Sequence, residues 1–195
     1  MSVIDSNILT PLFWAAMDNS QANSAQALQR TLLIGQRLTT GSAAANIAVP
    51  CGSSQMAIEL AGAGSMVAEM ARVYMNNDTG GDVYLLPLED GDDDAAATGS
   101  VAISTVPTEN GVLSLYIGGI RVPLTVVTTD TVAVIGTALA TAVNANASLP
   151  VTALSTEASG TATVTLTAKN KGDAGNSIDL RLNYQGSAGG EKTPA

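Results

Sequence analysis

The sequence predicts a mixed α+β and α/β fold: an N-terminal extended arm, an incomplete α/β unit, and a small β-rich module with one packed helix. Three observations carry this prediction. Two apolar strands, Thr31–Gly35 and Asp82–Leu88, bracket a stretch with helical spacing. Thr161–Ala168 (TATVTLTA) alternates strictly, as a strand does with one wet and one buried face. Val132, Ile135, Leu139 and Val143 recur at the spacing of one helix face.

Residues 1–29 form the arm. Ile4, Ile8, Leu9, Leu12, Phe13 and Trp14 are its apolar anchors, suited to an irregular or short helical segment. Asn19–Gln29 is rich in Asn, Gln, Ser and Ala and has few residues able to build a core. Such a segment is either a disordered terminus or an extended strap laid on a neighbouring subunit, the way chains add strands to open sheet edges.

Residues 30–95 read as an α/β unit followed by an acidic linker. Leu38–Asn46 is a small-residue loop and Ile47–Pro50 a brief extended piece. Ser53 or Ser54 caps a short helix through Leu60, because a serine hydroxyl satisfies free amides of the first turn. Ala61–Gly64 (AGAG) breaks it, and Ser65 caps a stronger helix. The spacing puts Met66, Met70, Val73 and Tyr74 on one face, with Val67 beside them and Glu69 and Arg72 pointing away. Asn76–Gly81 stops that helix. Asp82–Leu88 follows, and Pro87 marks it as an edge or a departing strand. Glu89–Asp94 (EDGDDD) reads as a solvated linker. A calcium loop needs alternating oxygen ligands, a glycine at the sharp turn and a closing glutamate, and the run lacks that spacing.

Residues 96–186 read as a second module. Ser100–Ser104, Val112–Ile117 and Arg121–Val127 are strands, the last two joined by a tight turn at Gly118-Gly119. Asp130 is the predicted cap of the helix carrying Val132, Ile135, Leu139 and Val143. Gly136 costs that helix about 1 kcal/mol relative to alanine, so packing must hold it. Asn144–Pro150 ends it; Val151–Ser155, Thr161–Ala168 and Ile178–Tyr184 are further strands. The expectation is one sheet with one helix across it, then a polar tail over 187–195.

Composition narrows the function. Of 195 residues 46% are hydrophobic but only 3% aromatic, so small residues fill thin, β-rich cores. The net charge of −9 argues against nucleic acid or an anionic membrane as partner. No apolar run approaches the ~18–20 residues of a membrane span. The opening MSVIDSNILTPLFW has no basic region and carries Asp5, so it is not read as a secretory signal. The one cysteine, Cys51, is expected to be a small buried residue beside a strand end.

Bond chemistry has little to work with. There is no histidine, the commonest general base and metal ligand, and one cysteine makes no thiolate zinc site. No Gly-x-Ser-x-Gly elbow occurs. A Ser–Lys pair needs a desolvated lysine, whereas Lys169, Lys171 and Lys192 sit in polar, glycine-rich contexts and are expected to be solvated. Gly62-Ala63-Gly64 resembles the start of a dinucleotide fingerprint, but position 67 is valine and a helix, not a strand, precedes it. Ala168–Ser177 (AKNKGDAGNS) lacks the Gly-Lys-Ser/Thr end of a phosphate loop and leads into a strand, so it reads as a wide hairpin connection. No catalytic, cofactor-binding or metal site is expected.

The stretches DNSQANSAQALQRTLLIGQ, GAGSMVAEMARVYMNND, DVYLLPL, LSLYIGGIRV and VTLTAKNKGDAGNSIDLRLNY, in this order, resemble the tail sheath protein of Mu-like contractile-tailed phages. The resemblance covers nearly the whole chain. It implies a structural subunit that polymerises around a tail tube and contracts to drive it through the host envelope during genome ejection. It implies as partners further copies of the same protein, the tail tube protein, and the baseplate and tail terminator proteins. It places the protein in the virion tail, and in the host cytoplasm during assembly. By the resemblance, Met1–Gln29 is the linking arm between subunits, and Phe13, Trp14, Asn19, Gln21, Asn23, Gln26 and Gln29 are its contact residues. Residues 30–95 then begin the sheath's conserved domain, and 96–186 are an inserted, outward-facing module. Family members are longer, so the chain is either an N-terminal fragment or a shortened relative, and by the resemblance its first sheet is left unfinished. Two other readings remain: another virion component, such as a baseplate or decoration protein reusing the second module, and a hydrolase.

Overall fold

A computed structural model describes residues 30–77, 81–91, 94–189 and 191. Its three helices and nine strands build a mixed α+β fold with three three-stranded sheets. The arm, Lys192 and part of the acidic run lie outside the described residues.

The first apolar strand is β1 (Arg30–Gln36), which pairs in parallel with β3 (Asp82–Leu88), Arg30 opposite Asp82 and Gln36 opposite Leu88. A two-residue β2 (Val49–Pro50) pairs antiparallel on the other side of β3. β3 is therefore the central strand, which corrects the edge reading drawn from Pro87. The proline is tolerated because β2 has already ended there: on that side the Pro87 carbonyl accepts from Asn46 N–H at 2.8 Å, in a loop. The missing N–H would face this loop and not a strand.

Between β2 and β3 lie α1 (Ser54–Ala61) and α2 (Met66–Asn77). Ser53 caps α1, its hydroxyl accepting from Met56 N–H at 3.2 Å. Ser65 caps α2 by accepting from Ala68 N–H at 3.3 Å. The loop before β2 has a use that composition did not show: Leu38, Ser42 and Ala43 N–H donate to the last carbonyls of α1, at Ala61, Glu59 and Leu60.

The predicted face of α2 is wrong. Its buried residues are Val67, Ala68 and Ala71, while Val73 is 51% exposed and Met70 37%. Small residues win because they let α2 approach both α1, through Ala57 and Ala61, and the sheet. A Cβ at Gly35 of β1 would stand 3.2 Å from Val67 Cβ. Cys51 is buried beside β2, and burial pushes its thiol up.

The second module is two sheets, not one. β4 (Thr98–Ile103), β8 (Thr161–Ala168) and β7 (Val151–Ala158) form one in the order β4-β8-β7. β5 (Gly111–Ile117), β6 (Ile120–Val126) and the short β9 (Leu180–Leu182) form the other, in the order β6-β5-β9. The segment Ala168–Ser177 is thus a crossover between sheets and not a hairpin. It contains a 3-10 turn, Asp173–Ser177, and delivers β9 to β5. Gly118 and Gly119 make the β5–β6 turn with φ of +56° and +82°. Ser159 (φ +53°) and Gly160 (φ +79°) make the β7–β8 turn.

α3 (Val132–Ala145) closes this core with Val132, Ile135, Leu139 and Val143 buried, as the spacing predicts. Its cap is Thr131, not Asp130; Asp130 instead accepts from Val127 N–H at 2.9 Å in the turn before it. Gly136 is held by packing: a Cβ there would lie 2.6 Å from Ser155 Oγ and 2.9 Å from Ala162 Cβ. Ala162, Val164, Leu166 and Ala168 are the buried half of the β8 alternation.

Candidate assembly surfaces and the junction

Three places in the described residues stand out as more than fold. The first is the open side of the β1–β3 sheet. Leu33 of β1 and Leu85 of β3 pack on the helices. Strand alternation turns Leu32 and Ile34 the other way, in register with Tyr84 and Leu86. No described element covers that side, and Leu32 and Ile34 are each 49% exposed. Parallel strands normally have both faces covered, so an open apolar face on this pair is unusual.

The second is the junction between the two units. Lys169, expected to be solvated, is half-buried. Its ammonium donates to the carbonyls of Ala147 (2.6 Å) and Ala63 (3.2 Å), and burial holds its pKa below the ordinary lysine value. Asn170 is buried, accepts from Met66 N–H at 2.9 Å, and donates to the Arg37 carbonyl and to Asp90 Oδ1, both at 3.1 Å. Asp90 Oδ2 accepts from Lys171 N–H at 2.9 Å, and Glu89 pairs with Arg37 at 2.7 Å. The start of the acidic run is therefore pinned, not a free linker. Local sequence carries no sign of this, because every partner is distant in the chain.

The third is a buried carboxylate in what reads as the polar tail. Glu191 is 3% exposed, pairs with Arg121 Nε at 3.0 Å, and accepts from Tyr116 Oη and from Gln185 N–H (3.0 Å). Burial alone raises its pKa, but the Tyr116, Gln185 and Ser114 hydrogen bonds and Arg121 together hold it below the usual range. The same hydrogen bond to Glu191, with burial, pushes the Tyr116 phenol up. Tyr184 stacks edge-on against Tyr116, at 6.0 Å between ring centroids, and carries Arg181 4.6 Å above its ring.

Among the described residues no three His, Cys, Asp or Glu side chains gather as a metal site, and no helix is long and apolar enough to cross a membrane. The predicted arm contacts Phe13, Trp14, Asn19, Gln21, Asn23, Gln26 and Gln29 lie outside the described residues. The arm's attachment point, Arg30, opens β1.

Among the described residues, the open apolar face of the β1–β3 sheet is the kind of surface that packs against another chain. The chain is 38% identical over 183 residues to the Mu-like prophage FluMu tail sheath protein of Haemophilus influenzae, a match covering 93% of this chain and 37% of that relative. The chain belongs to the tail sheath family of Mu-like phages. It spans well under half the length of the curated relative it matches. No family model matches the chain.

Proposed function

We propose that this chain is the N-terminal portion of a sheath subunit that polymerises around a phage tail tube and contracts to drive the tube through the host envelope during genome ejection. The observation that carries the reading is the 38% identity along 93% of the chain to a protein named as a tail sheath. The open face of the β1–β3 sheet supports it: a subunit that completes itself only on assembly leaves such a face on the free chain. Among the described strands β1 is at the sheet's edge, and it follows the arm directly in sequence. Residues 1–29 link subunits, with Phe13 and Trp14 as apolar anchors and Asn19, Gln21, Asn23, Gln26 and Gln29 pairing on a neighbour's sheet edge. Residues 30–95 begin the conserved domain and 96–186 face outward as an insertion. The work is mechanical: free energy stored in subunit interfaces is released by a lattice with two arrangements. Partners are further copies, the tail tube, the baseplate and the tail terminator; the protein resides in the virion tail after assembly in the host cytoplasm.

Electron microscopy tests this. The protein carrying this chain, co-produced with its tail tube protein, is expected to form striated tubes around a central tube. Deletion of 1–29 is expected to leave free subunits. Absence of rings, tubes or tube binding overturns the reading.

A further inference from the structure

The two units meet through polar groups, and their hydrophobic clusters share no residue. We propose that the turn Lys169–Lys171 is a latch that sets the angle of the second module on the α/β unit, with Glu89, Asp90 and Gly91 after β3 as the hinge it restrains. The latch reaches three separate places on the α/β unit. Lys169 and Asn170 hold the break between α1 and α2, through the Ala63 carbonyl and Met66 N–H. Asn170 and the Lys171 carbonyl hold the end of β1, through the Arg37 carbonyl and Gln36 Nε2, the latter at 3.0 Å. Asn170 Nδ2 and Lys171 N–H together grip both oxygens of Asp90, within the hinge.

The fit is close as well as polar. Gly64, at φ +78°, lies against the α3–β7 loop, where a Cβ would collide with the Leu149 carbonyl oxygen. Beyond the hinge the chain already belongs to the second module: Ala95 and Ala97 carbonyls accept from Gly172 and Ala168 N–H. Hydrogen bonds link the units, Met66 lines a small cavity with Pro150, Ala168 and Ile178, and the two hydrophobic clusters share no residue, so opening the junction leaves the contacts within each cluster in place. That makes undocking separable from unfolding, which a shared core would forbid.

The test uses the whole chain and hydrogen exchange resolved by residue. Asn170→Asp keeps the acceptor for Met66 N–H, removes both donors, and sets a carboxylate against Asp90. The amides of Met66 and Lys171 are expected to exchange at least about tenfold faster in this variant, while those of Leu139 and Val164 in the second core keep their rates. Adding Asp90→Asn reverses the polarity of the pair, since the amide now at position 90 donates to the carboxylate at position 170. This second change is expected to return most of the lost protection. Lys169→Met, which keeps the aliphatic stem and removes the ammonium, is expected to loosen the same amides by a smaller factor. Unchanged junction amides in Asn170→Asp overturn the latch. Equal acceleration at Leu139 and Val164 also overturns it, because the units then open as one.

Discussion

The two units of this chain are built from different materials. The buried cluster of the α/β unit is Ala57, Ala61, Ala68 and Ala71 with Cys51, Val67 and Leu85. That of the second module is dominated by large aliphatic side chains, among them Leu115, Ile117, Leu139, Val143, Leu149, Val164 and Leu166. Fully burying one Leu, Ile or Val contributes roughly 1.5–3 kcal/mol, and an alanine methyl far less. The second module also encloses its core between two sheets and a helix, whereas the α/β unit covers one face of its sheet and leaves Leu32 and Ile34 half out. The difference teaches where more of the stability should reside: in the second module, whose core buries large aliphatic side chains, and less in the α/β unit, whose core is mostly alanine.

The largest effect that can break this comparison is a cavity in the richer core. Leu139→Ala removes a fully buried side chain from α3 and is expected to cost about 2–5 kcal/mol by urea denaturation followed by circular dichroism. A loss under about 1 kcal/mol would show that the module is not the stable half.

Next comes overfilling the poorer core. Ala61 is fully buried between the helices, so Ala61→Leu is expected to cost about 1–3 kcal/mol and to melt the α/β unit before the second module. Coincident melting of both would argue that the two are not distinct in stability.

Glu191 gives a smaller, pH-dependent effect. Its carboxyl is depressed in the folded chain, so the unfolded chain binds more protons in acid. The stabilisation is present above the unfolded value of about 4.3 and is lost as pH falls through the lower folded value. Glu191→Gln is therefore expected to lower the melting temperature of the second module at pH 7, with the gap to the unaltered chain closing below about pH 4. A gap of constant size across the titration would contradict this.

The smallest effect sharpens the contrast from the other side. Leu32→Lys on the open face is expected to change stability by no more than about 0.5 kcal/mol. It should nonetheless lower self-association in analytical ultracentrifugation, because it interrupts the apolar face.

What is legible in the sequence is mostly local. β3, β8, the Gly118-Gly119 turn and the buried face of α3 follow from alternation, paired glycines and helical spacing, each read within a few residues. The face of α2 escapes such reading because hydrophobic spacing favours large residues over alanine, while the packing selects for closeness, not size. The division of the second module into two sheets is hidden because alternation reports which face is buried and not which strand is the neighbour. Lys169, Asn170 and Glu191 are hidden for a related reason: their partners lie at Ala63, Arg37, Asp90, Tyr116 and Arg121, far away in sequence.

The β7–β8 turn has a practical consequence. Ser159 is an L-residue held at φ +53°, and a Cβ on its neighbour Gly160 would meet nothing within 4 Å. The tip is exposed and its strands are pinned by a full antiparallel ladder from Val151 to Ala158. A short peptide grafted between Ser159 and Gly160 is thus expected to be tolerated. Any polymer grown from this chain would then display one graft per subunit, at the spacing of its own repeat.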